Sequence, residues 1–234
     1  MRKYKDMLNM FIERVREKNG HVEDSLRQCA GRAQLLAHIK KHFFDYFHSK
    51  ALDTELLMSM FGKEELERQL IFTDGIVKVM DSRMTAIVLR DCHIVAWNAQ
   101  LYAFDKATVD ASGTSQVFGY GQSEIIVSAR AKVSARDRCK VTAFDLASVK
   151  AYDNATVNAQ DATRVNALGH TDLNISGDCT ARVMGTVASV KAAGFATVHH
   201  DGLESLELED YAVAVDVNNK TVRHGPKLKY GQTK

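Results

Sequence analysis

Apolar residues return along this chain with two different periods. From Tyr4 to about Gln69 the interval is helical. Leu8, Phe11, Ile12 and Val15 fall on one face and predict an amphipathic helix that Asn19-Gly20 would close, because glycine adopts the left-handed conformation that ends helices. Leu26, Cys29, Ala33, Leu36, Ile39, Phe43 and Phe47 predict a longer second helix with one apolar side. The stretch ALDTELLMSMFGKEELERQ reads as a pair of short helices, with Asp53 as an N-cap and Gly62 between them. Helical spacing stops at FTDG.

From about residue 76 the period becomes eight. Octads starting at Leu101, Val109, Val117, Ile125, Val133, Val141, Val149, Val157, Val165, Leu173, Ala181, Val190, Val198, Leu206 and Ala214 all open on an apolar residue, with one insertion near Ser189. Their fifth position is Asp, Gly or Asn everywhere except Ala129. Weaker octads extend upstream through His93 and Thr85 to Val77.

Inside an octad, residues such as Ala147, Val149 and Ala151 lie two apart and face one way, while Ser148 and Lys150 face the other. That alternation is a strand. The fifth-position Asp or Gly supplies a corner, since Gly accepts positive φ and Asp is expected to hydrogen-bond its own turn backbone. A strand this short cannot bury its face alone, so octads must stack about 4.8 Å apart through backbone ladders. Two octads per coil give a parallel, two-sheeted β-solenoid with about 16 residues per coil; three give a three-sided β-helix with about 24. Only 8% of residues are aromatic, and a Val flanked by Ala fills a thin interior. A triangular coil would leave a hollow axis that close packing forbids, so the two-sheeted form is expected. Cys139 and Cys179 occupy the inward seventh slot roughly 12 Å apart along the axis, beyond disulfide reach, and read as small core residues.

The stretch ASVKAYDNATVNA resembles the ATVxAxD/G octapeptide arrays of largely uncharacterised bacterial proteins that look like β-solenoids. The resemblance covers roughly residues 77 to 222 and has no counterpart in the helical region. It implies a shape and leaves activity open. The expected layout is a helical region over 1–75 for capping or interaction, a solenoid over 76–222, and a tail over 223–234. Inward slots turn polar at His200, Glu204, Asp216 and Lys220, so a degenerate cap that slips register is expected from about residue 198.

A formal net charge of +2 gives no global field toward nucleic acid or anionic membranes. Glu13 interrupts the first apolar run before it reaches signal length, and no run approaches a membrane span. Four widely spaced cysteines without CxxC suit free thiols in a reducing compartment, so the cytoplasm is expected.

With 16 residues per coil, fourth positions of alternate octads stack into the column Phe104, Tyr120, Arg136, Tyr152, Leu168, Met184. With neighbouring Tyr102 and Phe118, this predicts an apolar stripe that serves as a dimer seam or a dock for the helices, against the plainer reading of an aromatic corner. The opposite column, Ser112, Ser128, Phe144, Gln160, Ser176, is polar. Arg130, Lys132, Arg136, Arg138 and Lys140 form a basic belt that would suit a polyanion, or simply keep the solenoid soluble. Asp137, Asp145, Asp153 and Asp161 suggest a calcium ladder, but Gly169, Gly177 and Gly185 break it, which favours turn stabilisation. His38, His42 and Asp45 are a weak metal-ligand candidate with no HExxH glutamate, and a hydrated helix surface explains them as well.

No nucleophile elbow, phosphate loop or paired carboxylates emerge, and uniform corners leave no obvious place for a pocket. The sequence therefore favours a non-enzymatic structural or interaction protein without a cofactor, self-associating or docking a protein partner, with no membrane role. A carbohydrate- or polyanion-binding module using the belt is the alternative. A metal-dependent enzyme built on His38, His42 and Asp45 ranks third.

Overall fold

The computed structural model describes residues 4–18, 24–81, 84–185 and 189–227. The chain divides into two compact units, Met1–Thr73 and Asp74–Lys234.

In the first unit, α1 (Tyr4–Glu17), α2 (Asp24–Arg27), α3 (Arg32–Lys41), α4 (Phe43–His48), α5 (Thr54–Met60) and α6 (Lys63–Arg68) surround a core that includes Phe11, Val15, Leu26, Leu35, Ile39 and Leu57. The expected long second helix is instead the series α2, α3 and α4. Gly31 is extended (φ −167°, ψ 170°) and His42 leaves the helical region (φ −108°, ψ 24°), so each piece aims its own apolar residues inward. Leu35, Leu36 and Ile39 are buried in α3 and Phe43 and Tyr46 in α4, while Ala33, assigned to the buried face by spacing alone, is exposed. Asp53 caps α5 as expected, accepting from the Leu56 N–H at 2.7 Å. Gly62 opens α6, its N–H donating to the Glu65 carboxylate at 3.0 Å. The Asn19-Gly20 stop lies outside the described residues.

The second unit is a parallel two-sheet β-solenoid with about 16 residues per coil. Alternate octads build alternate sheets. The first sheet runs from Thr85–Val88 through Gln100–Ala103, Lys132–Ala135 and Ser148–Ala151 to Val213–Asp216. Among the described residues the second has nine strands, from Ile76–Val79 through Lys140–Ala143 to Leu206–Leu208. Val149 pairs with Val133 and Val165, and Val141 with Ile125 and Val157, so like positions sit directly over like. The register grows by one where Asp172 meets Ser189 and Thr180 meets Thr197, in line with the single insertion near Ser189. Ala147, Val149 and Ala151 are fully buried while Lys150 is exposed, which is the thin core the alternation predicts.

Three details differ from expectation. The upstream octads open inward at Ile94 and Ala86, one residue after His93 and Thr85, because the corner Trp97-Asn98-Ala99 is one residue shorter than its neighbours. At the other end, Leu206–Leu208 and Val213–Asp216 keep register, with Leu206 on Val190 and Ala214 on Val198. The stack ends when Thr221–His224 folds back antiparallel on Val213–Asp216, pairing backbone that would otherwise be an open edge. Residues 223–224 thus belong to the cap and not to a tail. His200 is buried in its inward slot, whereas Glu204 and Lys220 are exposed.

The third difference concerns the corners. Asp105, Asp137, Asp145, Asp153, Asp161 and Ala129 are left-handed, with φ between 57° and 60°. The ladder resumes only after this residue, as when Arg138 donates to the Gly121 carbonyl at 2.9 Å. The left-handed N–H is therefore left over, and where the following coil carries aspartate its carboxylate accepts it. Asp137 takes the Gly121 N–H at 2.9 Å, Asp145 that of Ala129 at 2.8 Å, and Asp161 that of Asp145 at 3.0 Å. These carboxylates stabilise the preceding coil, not their own turn.

The corners where glycine replaces aspartate differ in how tightly they stack. A Cβ on Gly177 (φ 75°) would lie 2.9 Å from the Asp161 carbonyl oxygen, whereas one on Gly185 (φ 77°) meets nothing within 4 Å. Gly185→Ala should cost only the left-handed penalty, about 1–2 kcal/mol. Gly177→Ala adds a backbone clash and should cost clearly more. Urea unfolding of both variants checks this, and equal losses would contradict the tight corner stack.

Candidate interaction surface

The fourth-position column assembles on the first sheet, and Leu168 and Met184 are directly paired rungs. Because successive coils are separated by the thickness of an aromatic ring pair, its rings stack. Phe104 and Tyr120 lie 4.9 Å apart at 14°, and the adjoining Tyr102 and Phe118 lie 4.8 Å apart at 15°. The Arg136 guanidinium sits 4.7 Å over the Tyr152 ring. Stacking turns ring faces toward each other and leaves edges for solvent. Phe104 is only 2% exposed, Tyr120 and Tyr152 are half-buried, and Leu168 is 38% exposed. Apolar exposure on this column therefore lies toward its C-terminal end. Burial raises the Tyr120 hydroxyl pKa, with Arg136 opposing the rise.

A second apolar patch was not evident from the octads. Ile76 (75% exposed), Met80 (66%) and Trp97 (52%) lie in the first coils of the second sheet, with Val95 between them. Trp97 covers Gly113, where a Cβ would come within 2.2 Å of the indole. A register that starts at Leu101 cannot see Trp97. The readable signal was the missing residue in the Asn98 corner together with a glycine sixteen positions on from Trp97.

The basic belt occupies one coil but does not form one patch. Arg130 and Lys132 border an open cleft of about 470 Å³ with Asn98, Gln100, Thr114 and Gln116. Arg138 and Lys140 border another of about 320 Å³ with Lys106 and Gln122, where Glu124 pairs with Lys140 at 2.9 Å. Arg136 is turned onto Tyr152.

In the helical unit, His38 Nε2 lies 2.8 Å from the Tyr46 hydroxyl, and the His38 and His42 rings lie 4.7 Å apart. Asp45 is exposed. Among the described residues no group of three or more His, Cys, Asp or Glu side chains is placed to hold a metal, so the candidate ligand set is not assembled. All four cysteines are buried and none forms a disulfide. Cys139 Sγ lies 2.7 Å from Ser123 Oγ, and burial pushes its thiol up to about 11, which keeps it protonated and a poor nucleophile. Met7, Met10, Met58 and Met60 border a cleft of about 520 Å³ beside Arg32, whose guanidinium donates to Glu65 at 2.6 Å and to the Met60 carbonyl at 2.7 Å.

No family model, curated protein or solved structure matches the chain. Among the described residues no helix is long and apolar enough to cross a membrane.

The Arg32–Glu65 contact predicts an acid response. The hydrogen bond from Arg32, aided by the Gly62 N–H, holds the Glu65 carboxyl at about 2 against an ordinary 4.5. A depressed folded pKa contributes stability that is complete above the ordinary value and lost as pH falls toward the folded one. The helical unit should weaken between about pH 4.5 and 2. Glu65→Gln should flatten that limb in thermal melts followed across the window, while Glu64→Gln should leave it in place.

Proposed function

We propose that the protein is a rigid, non-enzymatic interaction scaffold in which two copies join through the exposed end of the first-sheet column, Tyr152, Leu168 and Met184. The observation that carries this reading is the order already present in that column. Arg136 is stacked on Tyr152, and Leu168 and Met184 are held one rung apart by the ladder, so association would immobilise few additional side chains. A straight row of this kind is self-complementary when two copies meet antiparallel about a two-fold axis, which closes the assembly at a dimer. Inward slots packed with Ala and Val place the chemistry on outer faces, in keeping with a scaffold. Cysteines without disulfides fit a reducing compartment, and we assign the protein to the bacterial cytoplasm.

Light scattering coupled to size exclusion tests the seam. The wild type should approach twice the chain mass as concentration rises, and Tyr152→Ser with Leu168→Ser should return it to the monomer. A wild type that stays monomeric, or a double variant of unchanged mass, would defeat the proposal.

A further inference from the structure

The two outer faces of the solenoid carry charge in opposite ways. On the second sheet each acidic side chain pointing outward from the strands has a partner: Asp110 with His93 at 2.8 Å, Glu124 with Lys140 at 2.9 Å, Asp172 with Ser189 at 2.9 Å and Glu207 with Lys191 at 2.6 Å. On the first sheet, outward strand positions from Gln100 to His199 include no carboxylate among the described residues. They do include Lys132, Lys150, Arg164 and Arg182, all exposed and none in an ion pair among the described residues.

Register orders these cations. Lys132 and Arg164 share one row with Ser148 between them, and Lys150 and Arg182 share the adjacent row with Asn166 between them. The rows are offset by one coil. One cation therefore appears at each coil, about 4.8 Å along the axis, on alternating sides of a midline.

Three features narrow the ligand. Exposed Asp137 and Asp153 run down one corner and Asp145 and Asp161 down the other, so a broad anionic plane such as a bilayer would meet both signs. A single chain on the midline meets only cations. Nucleobases need open ring faces, and on this face Tyr102 and Phe118 cover each other. Ser134, Ser148, Asn166 and Thr180 fill the slots around the cations with groups that exchange hydrogen bonds with hydroxyls. We infer that the midline of the first sheet binds an extended acidic polysaccharide bearing one charged group per sugar. In a two-fold ribbon successive sugars turn over, which sends their carboxylates to alternate sides at a step close to one coil. The row of Lys150, Asn166 and Arg182 lies two residues before Tyr152, Leu168 and Met184 on the same face, so this site borders the proposed dimer seam.

Calorimetry with polymannuronate oligomers at low salt tests the inference, with dextran, duplex DNA and phosphatidylserine-containing vesicles as comparison ligands. The oligomers should bind, weaken steeply with salt, and bind at least about tenfold more weakly to Lys150→Gln with Arg164→Gln. Lys140→Gln with Lys191→Gln, on the second sheet, should bind as wild type. All four positions are exposed, and unchanged thermal melts would confirm intact coils. Absence of oligomer binding, equal losses in both double variants, or tighter binding of DNA or vesicles would each overturn the assignment.

Discussion

The solenoid depends on how it satisfies one backbone N–H at each corner. At most corners a residue takes the left-handed conformation, and that residue's N–H falls outside the ladder. An N–H outside the ladder needs a side chain or water as its partner. Aspartate solves this from the next coil, as Asp137 does for Gly121 and Asp145 for Ala129. Where aspartate is present, the solution links a coil to its successor by a side chain as well as by the ladder. Where the corners approach too closely for a Cβ, as at Gly177 over Asp161, glycine is the remaining choice.

With corners so constrained, the interior follows. Eight-residue sides hold one Val and its flanking small residues, and the sheets meet across them with little room to spare. Gly119 shows how little: it stands where other octads place Ala, and a Cβ there would lie 2.3 Å from Ile125 Cδ1 and 2.6 Å from Cys139 Sγ. Cys139 is accordingly a packing residue whose thiol is held by Ser123. Outward positions are free of these packing demands.

Period and alternation made the solenoid legible from sequence, because both are local properties that stacking only repeats. The residue-by-residue column from Phe104 to Met184 was legible for the same reason. Less accessible were features that depend on direction along the axis. Nothing in the octad says whether Asp137 bonds its own turn or the coil before it. The belt from Arg130 to Lys140 looked like a patch because its residues are close in sequence, yet consecutive octads lie on opposite sheets and the belt is divided between them. The breaks at Gly31 and His42 were hidden because apolar spacing alone continued through both. The antiparallel strand Thr221–His224 has no octad signature and could be placed only by the edge it covers.

The outer faces show that unpaired charge is not forced by the architecture. Lys140 and Glu124 occupy equivalent slots one coil apart and bond at 2.9 Å, so a carboxylate next to a first-sheet cation has an available geometry. Ser148 stands in such a slot, directly between Lys132 and Arg164, and Asn166 in another between Lys150 and Arg182. A glutamate at either would relieve like-charge repulsion across the rungs. The same octad thus supports compensated charge on one sheet and uncompensated charge on the other, with corners and core unchanged. Fold stability does not account for that difference, and the anion recognition inferred for the first sheet would give it a physical use.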